Sequence, residues 1–165
     1  MDAWDLVLAG GGVPPKNLVE SIAGGPAAAG VSAGSAVALR TQLRFLSDFA
    51  KRFDLARMKQ DKTFITGPLP AGMTARVLAE PGREYIVYIR PIGTQVRGGG
   101  RSGVAAHDRL TVLDLNLPAG RYTYEWLDPN RALPVGYQQL THPGGVARLA
   151  APAFRADAVL ALRRQ

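Results

Sequence analysis

The sequence predicts a mainly β protein: an antiparallel β-sandwich with one long N-terminal helix packed against it. Three observations lead there. From about Thr63 onwards, apolar residues alternate in short runs divided by Pro, Gly, Asp and Asn. About seven such runs follow one another with no helical stretch between them, which favours a sandwich over alternating strands and helices. Upstream, one segment switches to helical spacing: Leu39, Leu43, Leu46, Phe49 and Phe53 recur every three or four residues and form one stripe.

Taken in order, the chain opens with the apolar run Leu6-Val7-Leu8, read as a strand, and continues as a Gly- and Ala-rich segment to Gly34. Ser35 is placed to cap a helix that ends near Phe53, its hydroxyl accepting from an amide of the first turn. Arg40, Arg44, Asp48 and Lys51 lie largely off the apolar stripe. Strands are expected at Ala75–Ala79 and Glu84–Arg90, divided by the turn Glu80-Pro81-Gly82-Arg83. Gly93–Ala106 reads as a flexible loop. From Leu110 to Leu117, Thr111, Leu113, Leu115 and Leu117 share one face while Asp114 and Asn116 take the other. Pro118-Ala119-Gly120 turns the chain into Arg121–Leu127, and Asp128-Pro129-Asn130 turns it again. Weaker strands follow at Leu133–Leu140, Val146–Ala150 and Ala158–Arg163.

Composition narrows the function classes. At 165 residues the chain suits one domain, or a small domain with an appendage. Hydrophobic residues at 47% and charged residues at 20% are ordinary for a soluble globular protein. With no cysteine there is no disulfide or thiolate site. His107 and His142 stand in separate loop-like contexts, so neither a metal nor a cofactor is expected. The net charge of +7 comes from dispersed arginines rather than a cluster, which argues against nucleic acid. Ser21–Leu39 is uncharged but made of Gly, Ala, Ser and Pro, too little Leu, Ile or Phe for a membrane span. Asp2 and Asp5 stand where a signal peptide has its basic residues, so none is expected, and localisation stays open.

Gly30-Val31-Ser32-Ala33-Gly34 spells the G-x-S-x-G of serine hydrolases. That elbow needs a buried strand running straight into a helix. The residues before Ser32 are Gly24-Gly25-Pro26-Ala27-Ala28-Ala29-Gly30, with neither bulk nor β-propensity. Coincidence among small residues is the expectation, and a small serine hydrolase using Ser32 is the alternative.

The segments LRTQLRFLSDFAKRFDLARMKQD, ARVLAEPGREYIVYI, LDLNLPAGRYTYEWLDP and HPGG together resemble the C-terminal portion of bacterial apiosidase-like glycoside hydrolases. The resemblance implies two parts: residues 1–60 as the end of a catalytic (β/α)₈ barrel, and residues 61–165 as the β-sandwich that family labels collagen-binding. AWDLVLAGGGV then corresponds to the last barrel strand, and the long helix to the last barrel helix. Where the family has an N-L-D-Y-S-F-like stretch, this chain reads Asn17-Leu18-Val19-Glu20-Ser21-Ile22, with Val19 for the Asp and Glu20 for the Tyr. Glycoside hydrolysis uses two carboxylates, about 5 Å apart for retention and further for inversion. Glu20 is the weak candidate for a residual acid, although a solvated loop glutamate is the simpler reading.

The expectation is therefore a non-catalytic module of glycoside-hydrolase lineage, binding polysaccharide or a fibrous protein weakly, or purely structural. A partial glycosidase completed by another chain is a further alternative. Relatives of full length are often exported. Candidate ligand contacts are Tyr88, Tyr124 and Trp126. Tyr122, Tyr124 and Trp126 share a strand face, and Trp126 is expected in the core. Tyr88 is expected at the surface, because Tyr85, Val87 and Ile89 already fill the inward face of that strand. Residues 4–8 and the helix stripe would hold a homo-oligomer together if the chain does not bury them itself.

Overall fold

A computed structural model of the protein describes Trp4, Leu8 and residues 33–92, 112–154 and 157–165. Helix α1 runs Ala33–Ala50, so Ser35 lies inside the first turn rather than capping it. The helix ends by tightening: Lys51 N donates to Ser47 O at 3.1 Å, then Arg52 N to Phe49 O at 3.0 Å and Phe53 N to Ala50 O at 3.2 Å. Phe53 thus stands just past the helix yet still points inward, 7% exposed.

Eight strands follow: β1 Lys59–Gln60, β2 Met73–Glu80, β3 Glu84–Pro91, β4 Val112–Leu117, β5 Gly120–Asp128, β6 Leu133–His142, β7 Gly145–Ala150 and β8 Ala158–Arg164. They form a six-stranded sheet in the order β1-β2-β3-β8-β5-β6 and a two-stranded sheet of β4 and β7. Neighbouring strands pair antiparallel throughout. The antiparallel sandwich expected from the alternating runs is the observed architecture, with α1 against it. Each strand expected from Ala75 onwards is present; the two-residue β1, too short to carry a pattern, is the addition.

The turns obey local chemistry. At Glu80-Pro81-Gly82-Arg83 the proline presets the second position, Gly82 supplies φ of 80°, and Arg83 N donates to Glu80 O at 2.9 Å, a type II turn. Between β6 and β7, Gly144 and Gly145 take φ of 106° and 92°, conformations a side chain would strain. That turn carries the chain from the large sheet to the small one.

Two hydrophobic cores share the large sheet. The first lies between the sheets and includes Phe64, Tyr85, Val87, Leu113, Leu115, Tyr122, Trp126, Leu149 and Leu160. Phe64 and Tyr85 stack there with ring centroids 4.3 Å apart. The second covers the opposite face: Leu46, Phe49 and Phe53 press onto Leu78, Ile86, Tyr88, Leu127 and Val159. Three layers result, small sheet on large sheet on helix. Burying each large side chain of the stripe is worth about 1.5–3 kcal/mol before entropy is charged. The Leu39 side chain lies outside the described residues.

Trp4 and Leu8 correct the reading of the N-terminus as a strand. Both sit on helical backbone, and both are buried in the second core at 6% and 1% exposure. Trp4 packs against Phe45, Phe49 and Tyr88, at centroid distances of 6.2, 5.2 and 6.2 Å. The outer face of the large sheet holds the apolar surface they cover. The described part of the stripe, Leu43 to Phe53, is buried within the chain together with Trp4 and Leu8. Leu6 and Val7, like the expected loop at Gly93–Ala106, lie outside the described residues.

Candidate functional site

Strand β5 alternates between the two cores. Tyr122, Tyr124 and Trp126 face the small sheet, as their spacing predicts, and Thr123, Glu125 and Leu127 face the helix side. Tyr122 is buried, and its hydroxyl donates to Pro118 O at 2.8 Å, four residues upstream. That bond pins the start of β5 where the chain crosses between sheets, the role of a tyrosine corner. Burial, then the neighbouring Tyr85, pushes the Tyr122 phenol above its usual value, and Arg164 partly opposes this. Trp126 is 3% exposed, in the core as expected, with its indole N–H unpartnered. Tyr124 is half-buried at the rim, its hydroxyl donating to Gln138 Oε1 on β6, and burial raises its phenol as well.

Tyr88 is a correction. It is fully buried rather than exposed, stacked on Trp4 at 22° between ring planes, and its hydroxyl donates to Asp157 Oδ2 at 2.8 Å. The expectation assigned β3 one buried face. As an inner strand of a sheet covered on both sides, β3 buries both, which leaves Tyr88 no face for a ligand.

The exposed aromatic is Tyr137, on the edge strand β6, 66% exposed. It stands opposite Glu125 in the β5–β6 register, on the helix side of the sheet, where Thr123 pairs with Gln139. Glu125 is tied to Arg52, just beyond the end of α1, in an ion pair whose carboxylate is only 12% exposed. Phe49 lies beneath the same guanidinium, 5.8 Å from its carbon. Tyr137 on β6 and Thr123 and Glu125 on β5, with Arg52 on Glu125, thus share the helix side of the sheet edge, the β5–β6 ledge. No local pattern in the sequence singles out Tyr137. The signal was faint: an edge position follows from strand order, which no local pattern reveals.

Among the described residues, each carboxylate is already engaged. Glu84 lies 3.2 Å from Arg163 Nε, although that N–H is not aimed at it and the guanidinium instead covers the Phe53 ring at 4.3 Å. Glu80 meets Arg83 at 3.1 Å and Arg57 at 3.6 Å, and Asp54 meets Arg57 at 3.5 Å. Asp48 takes Lys51 at 3.0 Å, and Asp157 takes Asn130 besides Tyr88. Asp61 accepts from Thr63 N, Thr63 Oγ1 and Phe64 N, and Asp128 from Asn130 N and Arg131 N, both closing turns. Asp114 binds Arg148 at 2.8 Å and 3.3 Å, and this guanidinium holds its carboxyl below the usual range. Among the described residues no cluster of His, Cys, Asp or Glu could hold a metal. Ser32, Glu20 and His107 lie outside the described residues, and the His142 ring Nε2 sits 3.3 Å from Gly145 O.

Among solved structures the likeness is to glycoside hydrolases. One structure described as a glycoside hydrolase superposes with a TM-score of 0.52 at 13% identity, over 75% of this chain and 25% of its own. A glycoside hydrolase family 5 protein from Bacteroides vulgatus ATCC 8482 gives 0.49 at 12% identity, over 77% of this chain and 24% of its own. No family model and no curated protein sequence matches. The chain has a glycoside-hydrolase-like fold, and it spans about a quarter of the length of these structures.

Proposed function

We propose that this chain acts as a non-catalytic module of glycoside-hydrolase lineage that holds carbohydrate weakly on the β5–β6 ledge. The observation that carries the reading is Tyr137: a ring 66% exposed on a sheet surface, beside the Arg52–Glu125 pair. A phenol ring offers its face to the C–H groups of a sugar, and its hydroxyl reaches the sugar's edge. Arg52 and Thr123, on the same side of the neighbouring strand, carry further donors, and an exposed ring at a sheet edge suits a chain lying across it rather than a small enclosed molecule.

The test is affinity electrophoresis through gels holding soluble plant and microbial polysaccharides, comparing the natural chain with Tyr137→Ala. Retardation by at least one polysaccharide, reduced severalfold in the variant, is the expected result. Equal retardation of both proteins, or binding to gelatin with none to any polysaccharide, would overturn the reading.

A further inference from the structure

We infer that the end of the sandwich holds a second ligand site, a cleft that takes one ring of a neutral sugar. The inference goes beyond the β5–β6 ledge and does not rest on it. A cleft of about 260 Å³ opens where the loop Asp61–Phe64, the β2–β3 turn at Pro81, the β4–β5 turn at Leu117–Pro118 and Gly145 converge. Its frame is firm. Phe64 and Tyr85, stacked on each other and each 2% exposed, belong to the core, and Pro81 and Pro118 stiffen two of the turns. Gly145 keeps its side open, because a Cβ there would meet no heavy atom within 4 Å. The volume falls short of the roughly 300–1,000 Å³ of pockets for drug-sized molecules, so a single ring is the most it holds.

Two polar groups of the lining are only half used. Asp61 takes its bonds on one oxygen: Thr63 N, Thr63 Oγ1 and Phe64 N all donate to Oδ1, and no described residue donates to Oδ2. The Tyr85 hydroxyl accepts from Gly82 N at 2.6 Å, which sets it beside the Pro81 wall. Its own proton meets no acceptor among the described residues, although a phenol this buried ordinarily finds one. These two groups select the ligand. An ammonium would answer the carboxylate and leave the phenol proton unmet. A carboxylate or phosphate would accept that proton and be repelled by Asp61. Neighbouring hydroxyls on a neutral ring donate and accept at once, so they answer both.

The test is a titration of isotope-labelled protein, followed by amide NMR spectra, with glucose, galactose, mannose and xylose, and with glucuronate as the anionic counterpart. At least one neutral sugar should shift the amides of Thr63, Phe64, Gly82 and Gly145 saturably at millimolar concentration, and glucuronate should not. Asp61→Asn keeps the oxygen that closes the turn and makes the free one a donor, whereas Tyr85→Phe keeps the ring and removes the proton. Each should weaken binding by roughly threefold to tenfold, the loss of one hydrogen bond. Tyr137→Ala, on the ledge, should leave it unchanged, which separates the two sites. Amide shifts away from the cleft report whether each variant is folded. No shift of the cleft amides by any of the neutral sugars overturns the inference. So does binding indifferent to either folded cleft variant, equal binding of glucuronate, or loss of the shifts in Tyr137→Ala.

Discussion

Phe49→Ala tests whether α1 is part of the folded unit or an ornament on it. Phe49 is 4% exposed, with ring centroids 5.2 Å from Trp4 and 4.9 Å from Phe53, in the core shared with Leu78, Ile86 and Tyr88. Truncating a buried Phe costs about 3–5 kcal/mol, the transfer of the ring plus the cavity it leaves. With a urea slope of about 2 kcal/mol per molar, the unfolding midpoint should fall by about 1.5–2.5 M. Val37→Ala, on the same helix but 59% exposed, is the internal control. It should shift the midpoint little, and slightly upward, because alanine is the better helix former. Urea titration followed by circular dichroism reads both. A loss below about 1 kcal/mol for Phe49→Ala, or equal losses for the two variants, would mean that the helix does not cover the sheet.

Two further outcomes follow from single contacts. Tyr122→Phe removes the bond to Pro118 O while keeping the ring and should cost about 1–2 kcal/mol by the same titration, with no loss of sheet signal. Asp114 contributes stability above its ordinary value of 3.8, which is lost as pH falls through its depressed folded value; Arg148→Gln should therefore flatten the acid limb of melting temperature against pH below about pH 4, and an unchanged limb would refute the pairing.

The fold was largely legible because most of it is written in local periods. Leu113, Leu115 and Leu117 alternate with exposed or half-exposed neighbours, and the structure buries those three. The stripe of α1 predicted a surface for it to cover. What no local pattern showed was which surface, and the consequences reach the binding candidates. Tyr88 looked free because its strand had one full face already; only strand order reveals that β3 lies inside a sheet with cores on both sides. Trp126 was expected in the core and lies there, 3% exposed. Tyr137 is the converse of Tyr88: an aromatic in a weak strand, exposed because β6 ends the sheet. Trp4 and Leu8 could share a face in either a strand or a helix, so spacing did not separate the two.

Because the large sheet is greasy on both sides, the strands from Met73 onwards do not make a portable cassette. A gene fusion that transplanted them without Leu46, Phe49, Phe53 and Met58 would lay bare Leu78, Ile86, Tyr88 and Val159 in the new host. Recombination that moves this sandwich between proteins has to carry the helical strap along, or land it against a neighbour able to replace it.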